Sequence, residues 1–359
     1  AATMGDGMWA RIASALLRQR NYLALLRFLL LSLIAWTNRL LMTVEDFIFP
    51  WLSDTPVDKI VFVLGHQRSA TTNIQDTLLD IDAMKGSTVY DCLFPSLILK
   101  VMMTPLKLLL NIIVETSYDT PNHRVGLNES LEEHLWLLHL FTGEAIPSAL
   151  YSSLATDRSI VEECMKVTDA HLNFIKRCLK RSRYWNGTSE LYVAKPLLFT
   201  LCVPKLMMHF PKAKIILCVR DPLDIMKSYA EFLGALTGSK LESKEFQERM
   251  HCLLRWYSAP VLRTLATEIK GIGETTKDRM VVNFATWKRD PGKELLRICK
   301  WLDLSSNLPM KTCKQKETHR SSKGGTKTES KFFISQEDIT KEIGPETYKF
   351  LCEAAEGRK

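Results

Sequence analysis

Two kinds of hydrophobic text alternate along the chain. Ile60 to Leu64 is a run of five apolar residues without a polar interruption, the pattern of a short strand buried on both faces. Helical spacing follows from Thr71 to about Asp80. The alternation returns with a strand at Leu191 to Ala194, helical text around Leu197 to His209, a strand at Lys214 to Val219 and a helix opened by Asp221-Pro222. Asp as N-cap with Pro at the first helical position is a start signal. A shorter strand, Met280 to Phe284, precedes an amphipathic helix from Pro291 to Leu302. Strands alternating with helices predict an α/β fold in three layers, a central and mainly parallel sheet covered by helices. No internal repeat is present.

The first 55 residues have a different pattern. After Arg11, Arg18 and Arg20 comes the apolar stretch Tyr22 to Trp36, interrupted by Arg27. It is shorter than the roughly 20 apolar residues of a spanning helix, and extending it through Leu40, Leu41 and Met42 adds Arg39. No small-residue cleavage site follows it. A second apolar segment, Ser96 to Val114, carries Lys100 and Lys107. Two cationic apolar helices predict a chain that lies on a membrane surface, with spanning or simple packing on the core as the other options. Pro50, Asp54 and Pro56 then mark the boundary between a membrane-associating region, 1–55, and a main domain, 56–359.

Composition narrows this little. A net charge of +8 suits a partner carrying phosphate or sulfate, or an anionic membrane, and no basic stripe interleaves with aromatics as in a nucleic-acid binder. The nine cysteines are scattered, with no CxxC pair and no His/Cys cluster at metal spacing, so no metal is expected. Thr312 to Lys331, rich in Lys, Ser, Thr and Gly with Gly324-Gly325 as its pivot, reads as a loop.

The chemistry concentrates after the first strand, in Gly65-His66-Gln67-Arg68-Ser69-Ala70-Thr71-Thr72. Backbone amides at the start of the following helix, together with its dipole, favour an anion. Ser69, Thr71 and Thr72 add hydroxyls, and Arg68 adds a planar charged fork. Against the GxxxxGK[ST] loop of nucleotide hydrolases, Gly65 and Thr72 fit. Ala70 replaces the second glycine and Thr71 the phosphate-reaching lysine, so the expected fold is P-loop-like but an ATP-dependent kinase fits poorly. A second signal is the strand ending in Val219-Arg220-Asp221-Pro222, with Ser228 two helical turns on. It delivers an Arg and a hydroxyl to the carboxyl edge of the sheet, where open α/β folds bind ligands.

Together these segments resemble the sulfotransferases that use 3′-phosphoadenosine 5′-phosphosulfate. Arg-Ser-Ala-Thr-Thr is similar to their 5′-phosphosulfate loop, with Gln67 in place of proline and Ala70 in place of glycine. Arg220-Asp221-Pro222 with Ser228 is similar to their 3′-phosphate motif. The likeness covers most of 59–350 and is best to the branch with microbial, carbohydrate- and lipid-directed members. It implies that Arg68 is the basic catalytic residue, that Gly65, Arg68, Ser69, Ala70, Thr71 and Thr72 hold the 5′ end of the donor, and that Arg220 and Ser228 hold its 3′-phosphate. Lys195, in Tyr192-Val-Ala-Lys-Pro196, is a further cleft candidate.

An acceptor hydroxyl needs a base. Asn128-Glu-Ser-Leu-Glu-Glu-His134 reads first as a capping box, Ser130 with Glu133, heading an apolar helix. It also resembles the family segment that places an acceptor-activating Glu at Glu133, with Glu132 and His134 behind it. Two rival readings stand beside this one: a P-loop kinase, and a membrane-bound protein that binds nucleotide without turnover. The apolar segments make a lipid or sterol alcohol attractive as acceptor, beside carbohydrate. Glu45 and Asp46 after the basic flank suit a Golgi-type lumen, whereas the Asn128 sequon beside the base suits the cytosolic face. Nothing in the sequence speaks to oligomeric state.

Overall fold

A computed structural model describes residues 6–118, 126–130, 132–187, 191–304 and 333–357. Helices α1 (Asp6–Arg18) and α2 (Tyr22–Ile48) precede strand β1 (Ile60–Gly65), helix α3 (Thr71–Leu79) and strand β2 (Met84–Lys85). Helices α4 (Val89–Leu93), α5 (Leu97–Met103) and α6 (Lys107–Tyr118) follow, then a 3-10 helix at Glu133–Leu140. Helices α7 (Arg158–Cys164) and α8 (Asp169–Asn186) lead to β3 (Leu191–Ala194), α9 (Val203–His209), β4 (Lys214–Val219) and α10 (Pro222–Thr237). Helices α11 (Lys244–Leu253) and α12 (Ala259–Ile272) precede β5 (Arg279–Asn283), α13 (Phe284–Arg289) and α14 (Pro291–Trp301). Helices α15 (Gln336–Ile343) and α16 (Pro345–Ala355) complete the described chain.

The five strands form one parallel sheet in the order β2-β3-β1-β4-β5. Every residue of β1 is buried, and the two faces of the sheet feed separate cores. Ile60, Phe62 and Leu64, with Ile215, Leu217 and Val219, pack against α8, α10 and α12. Val61 and Val63, with Ile216 and Cys218, pack against Ile74 and Leu78 of α3 and Leu295 and Ile298 of α14. The twofold alternation of side chains along a strand is what makes one apolar run serve two layers. The expected three-layer α/β fold is thus present, and each buried aliphatic side chain contributes on the order of 1.5–3 kcal/mol.

Differences from the expected elements are local. The fourth of the predicted strands ends one residue earlier, at Asn283, whose side chain accepts from the Thr286 amide and starts α13. The helical text from Leu197 begins as a 3-10 turn, Leu197–Cys202, and becomes α-helical only at Val203-Pro204. Proline lacks an amide to donate, so a helix restarts there rather than runs through. The capping box at Ser130 does not form: Ser130 Oγ donates to Asp76 Oδ1 at 2.5 Å, and the Glu133 carboxylate turns inward. The basic stretch Thr312 to Lys331 lies outside the described residues.

Helix α2 packs one face on the body and leaves the other exposed. Phe28 sits edge-on against Phe141 and Tyr151, with ring centroids 5.9 and 5.6 Å apart. Asn38 bridges to the body through Leu93 O (3.0 Å) and Ser96 N (3.2 Å). Glu45, fully buried, accepts from Ser96 Oγ (2.6 Å), Ile98 N (2.8 Å) and Arg181 Nε (2.7 Å). Arg181 also donates to Met42 O and to Asp46. A buried carboxylate is tolerated only when its oxygens are satisfied in this way.

The β1–α3 loop is strained where the chain departs from glycine. Ala70, at the N-terminal edge of α3, has φ 65° and ψ 12°, and Arg68 has φ 69°. The left-handed region costs a residue with a Cβ about 1–2 kcal/mol. Gly65, by contrast, has φ 145°, and a Cβ there would lie 2.6 Å from the Cys218 carbonyl. Ala70→Gly is therefore expected to raise stability by ~0.5–1 kcal/mol after its entropic cost. Gly65→Ala should lower it by ~2 kcal/mol or more. Urea midpoints of the two variants check both signs, and a destabilised Ala70→Gly would refute the strain.

Candidate active site

The loop after β1 and the end of β4 meet at the carboxyl edge of the sheet. Pairing of Gly65 with Cys218 sets both strand ends level. The Thr200 hydroxyl accepts from Gly65 N (2.9 Å) and donates to Gly65 O (3.2 Å), which fixes the end of β1. Arg220 leaves β4 just before the Asp221 cap of α10, which accepts from the Leu223 and Asp224 amides. Its Nη1 donates to the Arg68 carbonyl at 2.9 Å. Arg68 Nε in turn donates to Ser228 Oγ, one helical face down α10, at 3.0 Å. Two segments 152 residues apart thus place two guanidinium groups and a hydroxyl in one corner.

That corner is electropositive. Burial, and next the Arg220 charge, push the Arg68 pKa below its ordinary value, with Glu132 and Glu231 opposing. Burial lowers Arg220 as well, against Asp224 and Asp221. The rings of Phe232 and Phe284 lie 5.3 and 4.4 Å from the Arg68 and Arg220 guanidinium carbons. Ser69 Oγ is buried and has no hydrogen-bond partner. Close cations, an orphaned hydroxyl and the amides at the start of α3 together suit an anion. On the other side of the loop, Lys195 Nζ donates to Thr72 Oγ1 at 2.7 Å and lies 3.2 Å from Glu132.

The three acidic and imidazole candidates part company. Glu132 is partly exposed, beside Lys195 at the loop. Glu133 is fully buried: its Oε2 accepts from the Lys195 amide at 2.5 Å, and its Oε1 has no partner. His134 is buried and paired through Nε2 with Glu144. Burial would lower the His134 pKa, but the Glu144 charge and hydrogen bond outweigh it and hold the pKa above its ordinary value. Glu144 Oε1 also accepts from Gln67 Nε2 at 3.3 Å, so it braces the loop against the segment that carries Glu132. His66, buried between the rings of Tyr229 and Tyr257 at 5.6 and 5.2 Å, forms the inner wall, and burial lowers its pKa to about 4. Glu144 and Thr200 escape a reading of the sequence, because neither belongs to a spaced motif, and His66 lies in the loop motif without a role assigned to it. The one available signal is Gln67 standing where the family loop has proline, a side chain free to bond Glu144.

Glu133 has a testable signature. Burial, partly offset by the Lys195 amide, raises its pKa from 4.5 to about 7. A carboxyl raised on folding stabilises fully below its unfolded pKa, and that contribution is lost as pH rises through the folded value. The window therefore runs from about pH 4.5 to about pH 7, and above it the ionised form is a buried burden. Glu133→Gln mimics the neutral acid. It should leave the urea midpoint unchanged near pH 5 and raise stability at pH 8 by on the order of 1–3 kcal/mol. Equal effects at both pH values would refute the shift.

Comparison with known proteins bears on the family and the fold. A profile described as the sulfotransferase family matches residues 61–307, which contain both the loop after β1 and the Arg220 segment. The fold is similar to that of sulfotransferase STF9 from Mycobacterium avium (TM-score 0.69, 17% identity, covering 89% of this chain and 83% of that one). It is also similar to sulfotransferase STF1 from Mycobacterium tuberculosis H37Rv (TM-score 0.66, 17% identity, covering 87% and 83%). No match is found among curated protein sequences. With the profile spanning well over half of the sequence and the same α/β architecture beneath it, the chain belongs to the sulfotransferase family.

Proposed function

We propose that the protein transfers the sulfuryl group of 3′-phosphoadenosine 5′-phosphosulfate to an acceptor hydroxyl, with Glu132 as the base. The observation that carries this reading is the joint placement of Arg68, Arg220 and Ser228 at one sheet edge. Ser69, with Thr71, Thr72 and the loop amides from Gly65 through Ala70, would hold the 5′-phosphate. The orphaned Ser69 hydroxyl supports that assignment. Arg220 and Ser228 would hold the 3′-phosphate, the group that separates this donor from ATP.

In the reaction the acceptor oxygen bonds to sulfur while the bond from sulfur to the 5′-phosphate oxygen breaks in line. Adenosine 3′,5′-bisphosphate leaves, and the acceptor proton passes to a carboxylate. By analogy with phosphoryl transfer the transition state is loose, with charge on the sulfuryl and leaving oxygens. Arg68 would stabilise that charge, and Lys195, donating to Thr72, would steady the loop. Glu132 suits the base role because it is open to the loop, whereas Glu133 and His134 are sealed. No group of three or more His, Cys, Asp or Glu side chains suited to a metal is present among the described residues, and no step above requires one. As acceptor we propose an apolar alcohol of lipid or sterol type, met at a membrane surface, since α2 and α5–α6 expose apolar faces.

Calorimetry with adenosine 3′,5′-bisphosphate and with ATP, with and without magnesium, tests the donor. Metal-independent binding of the bisphosphate, weakened in Arg220→Ala by about 10–100-fold, is expected from the loss of one charge-assisted contact. Preference for magnesium-ATP would instead favour a kinase. For the base, Glu132→Gln should lower kcat by roughly 10²–10⁴-fold while bisphosphate affinity stays within a few fold. Retained turnover in that variant, with loss in Glu133→Gln, would return the role to Glu133.

A further inference from the structure

Apolar exposure in this chain is concentrated rather than scattered. Of 23 large apolar side chains exposed among the described residues, thirteen lie between Leu17 and Trp51 and six between Val101 and Ile112. On α2 the exposed positions Leu26, Leu29, Leu33 and Leu40 recur at three-, four- and seven-residue spacing, one face of a helix. The opposite face carries Phe28, Ser32, Ala35, Asn38, Met42 and Glu45, all buried. Helix α2 packs beside α5, and α5–α6 adds Met102, Leu108 and Ile112 to the exposed surface.

Charge says what covers this surface. No Asp or Glu occurs between Arg20 and Val44 or between Leu93 and Val114, whereas Arg20, Arg27, Arg39 and Lys107 do. Arg39 lies over the Trp36 ring at 4.6 Å and Lys107 over Tyr90 at 4.8 Å, each a cation on an aromatic platform. A second copy of the chain would bring like charges together, while an anionic lipid surface supplies the complement. We infer that α2 and α5–α6 form an interfacial platform that seats the catalytic domain on an anionic bilayer, with α2 lying in the membrane plane rather than across it.

The in-plane placement follows from the buried face. α2 is long and apolar enough to cross a membrane, but it is tied to the body along its length. Ser32 accepts from Trp9 Nε1 (2.8 Å), Asn38 is bonded on both sides of its amide, and Glu45 is held by Arg181. From Ser32 to Glu45 these ties cover about 20 Å of helix. A crossing would strip all of them and leave a carboxylate without its guanidinium. Only Tyr22 to Leu31 precede Ser32, about half the roughly 20 residues a span needs. The 3-10 helix Glu133–Leu140 begins beside Glu132 and packs against α2, so the platform and the proposed base share one element. What the platform would deliver rests on the transferase reading above. Its own test reads binding rather than turnover, so the two fail separately.

The full chain is mixed with sealed vesicles of phosphatidylcholine alone, or with added phosphatidylglycerol, and floated. Binding to the anionic vesicles, weakened as salt rises, is expected. Leu29→Gln, Leu33→Gln and Leu40→Gln together should reduce partitioning by roughly a hundredfold while bisphosphate binding persists. Arg20→Glu with Arg27→Glu, which spares the apolar face, should weaken binding to anionic vesicles alone. An N-terminal epitope tag should be removed by protease added outside the vesicles. Failure of the wild type to float, or equal flotation of the leucine variant, overturns the platform. A dimer in solution that the leucine substitutions dissolve would assign the face to a second copy, and a tag protected by the bilayer would make α2 a spanning helix.

Discussion

The site depends on the register between β1 and β4. Parallel pairing of Gly65 with Cys218 brings both strands to the same edge, one residue before the first turns into its loop and two before Arg220 emerges. Shifted by a single residue, every side chain of β1 would exchange one core for the other and the loop would move along the edge away from Arg220. The two cores on either face are what forbid that slip. Burial of apolar side chains thus does more than stabilise the sheet: it sets where two positive charges meet. The Arg220 bond to the Arg68 carbonyl is the consequence.

Electrostatics near the loop are graded by depth. Glu132 is open and paired with Lys195, Glu133 is sealed against the Lys195 amide, and His134 is sealed against Glu144. Three consecutive ionisable residues therefore meet three different partners, one of them at a partly exposed position and two in the interior. The start of a 3-10 helix is the cause, since its tighter turn sends neighbouring side chains to separate sides. A carboxylate paired with a lysine and open to solvent on one side is held in its charged form, while one in a dry pocket resists ionising.

Much of this was legible in the sequence. The β1 and β4 runs and the Asp221-Pro222 helix start rest on local rules of burial and capping, which a chain displays openly. The segment at Ser130 was not, because its capping box competes with two long-range bonds, to Asp76 and to the Lys195 amide. Glu144 was invisible for the same reason: its partners, Gln67 and His134, are set by tertiary packing. On α2 the apolar stretch showed a helix, but Asn38 carried no signal and Glu45 read only as part of an acidic flank after it. They are its attachment points.

The Glu45–Arg181 pair also bears on how the chain divides. The boundary expected from the sequence near residue 55 looks like a natural place to remove the apolar N-terminal helices and obtain a better-behaved enzyme. Arg181 lies on α8 and is almost wholly buried, and its partners beyond α8, Glu45, Asp46 and Met42, are all on α2. Cutting there would leave a guanidinium in a pocket built for an ion pair and lay bare the cleft that α2 fills. The helix that gives the chain its greasy exterior is also the counter-ion of its interior, and the two roles cannot be separated by a cut in the sequence.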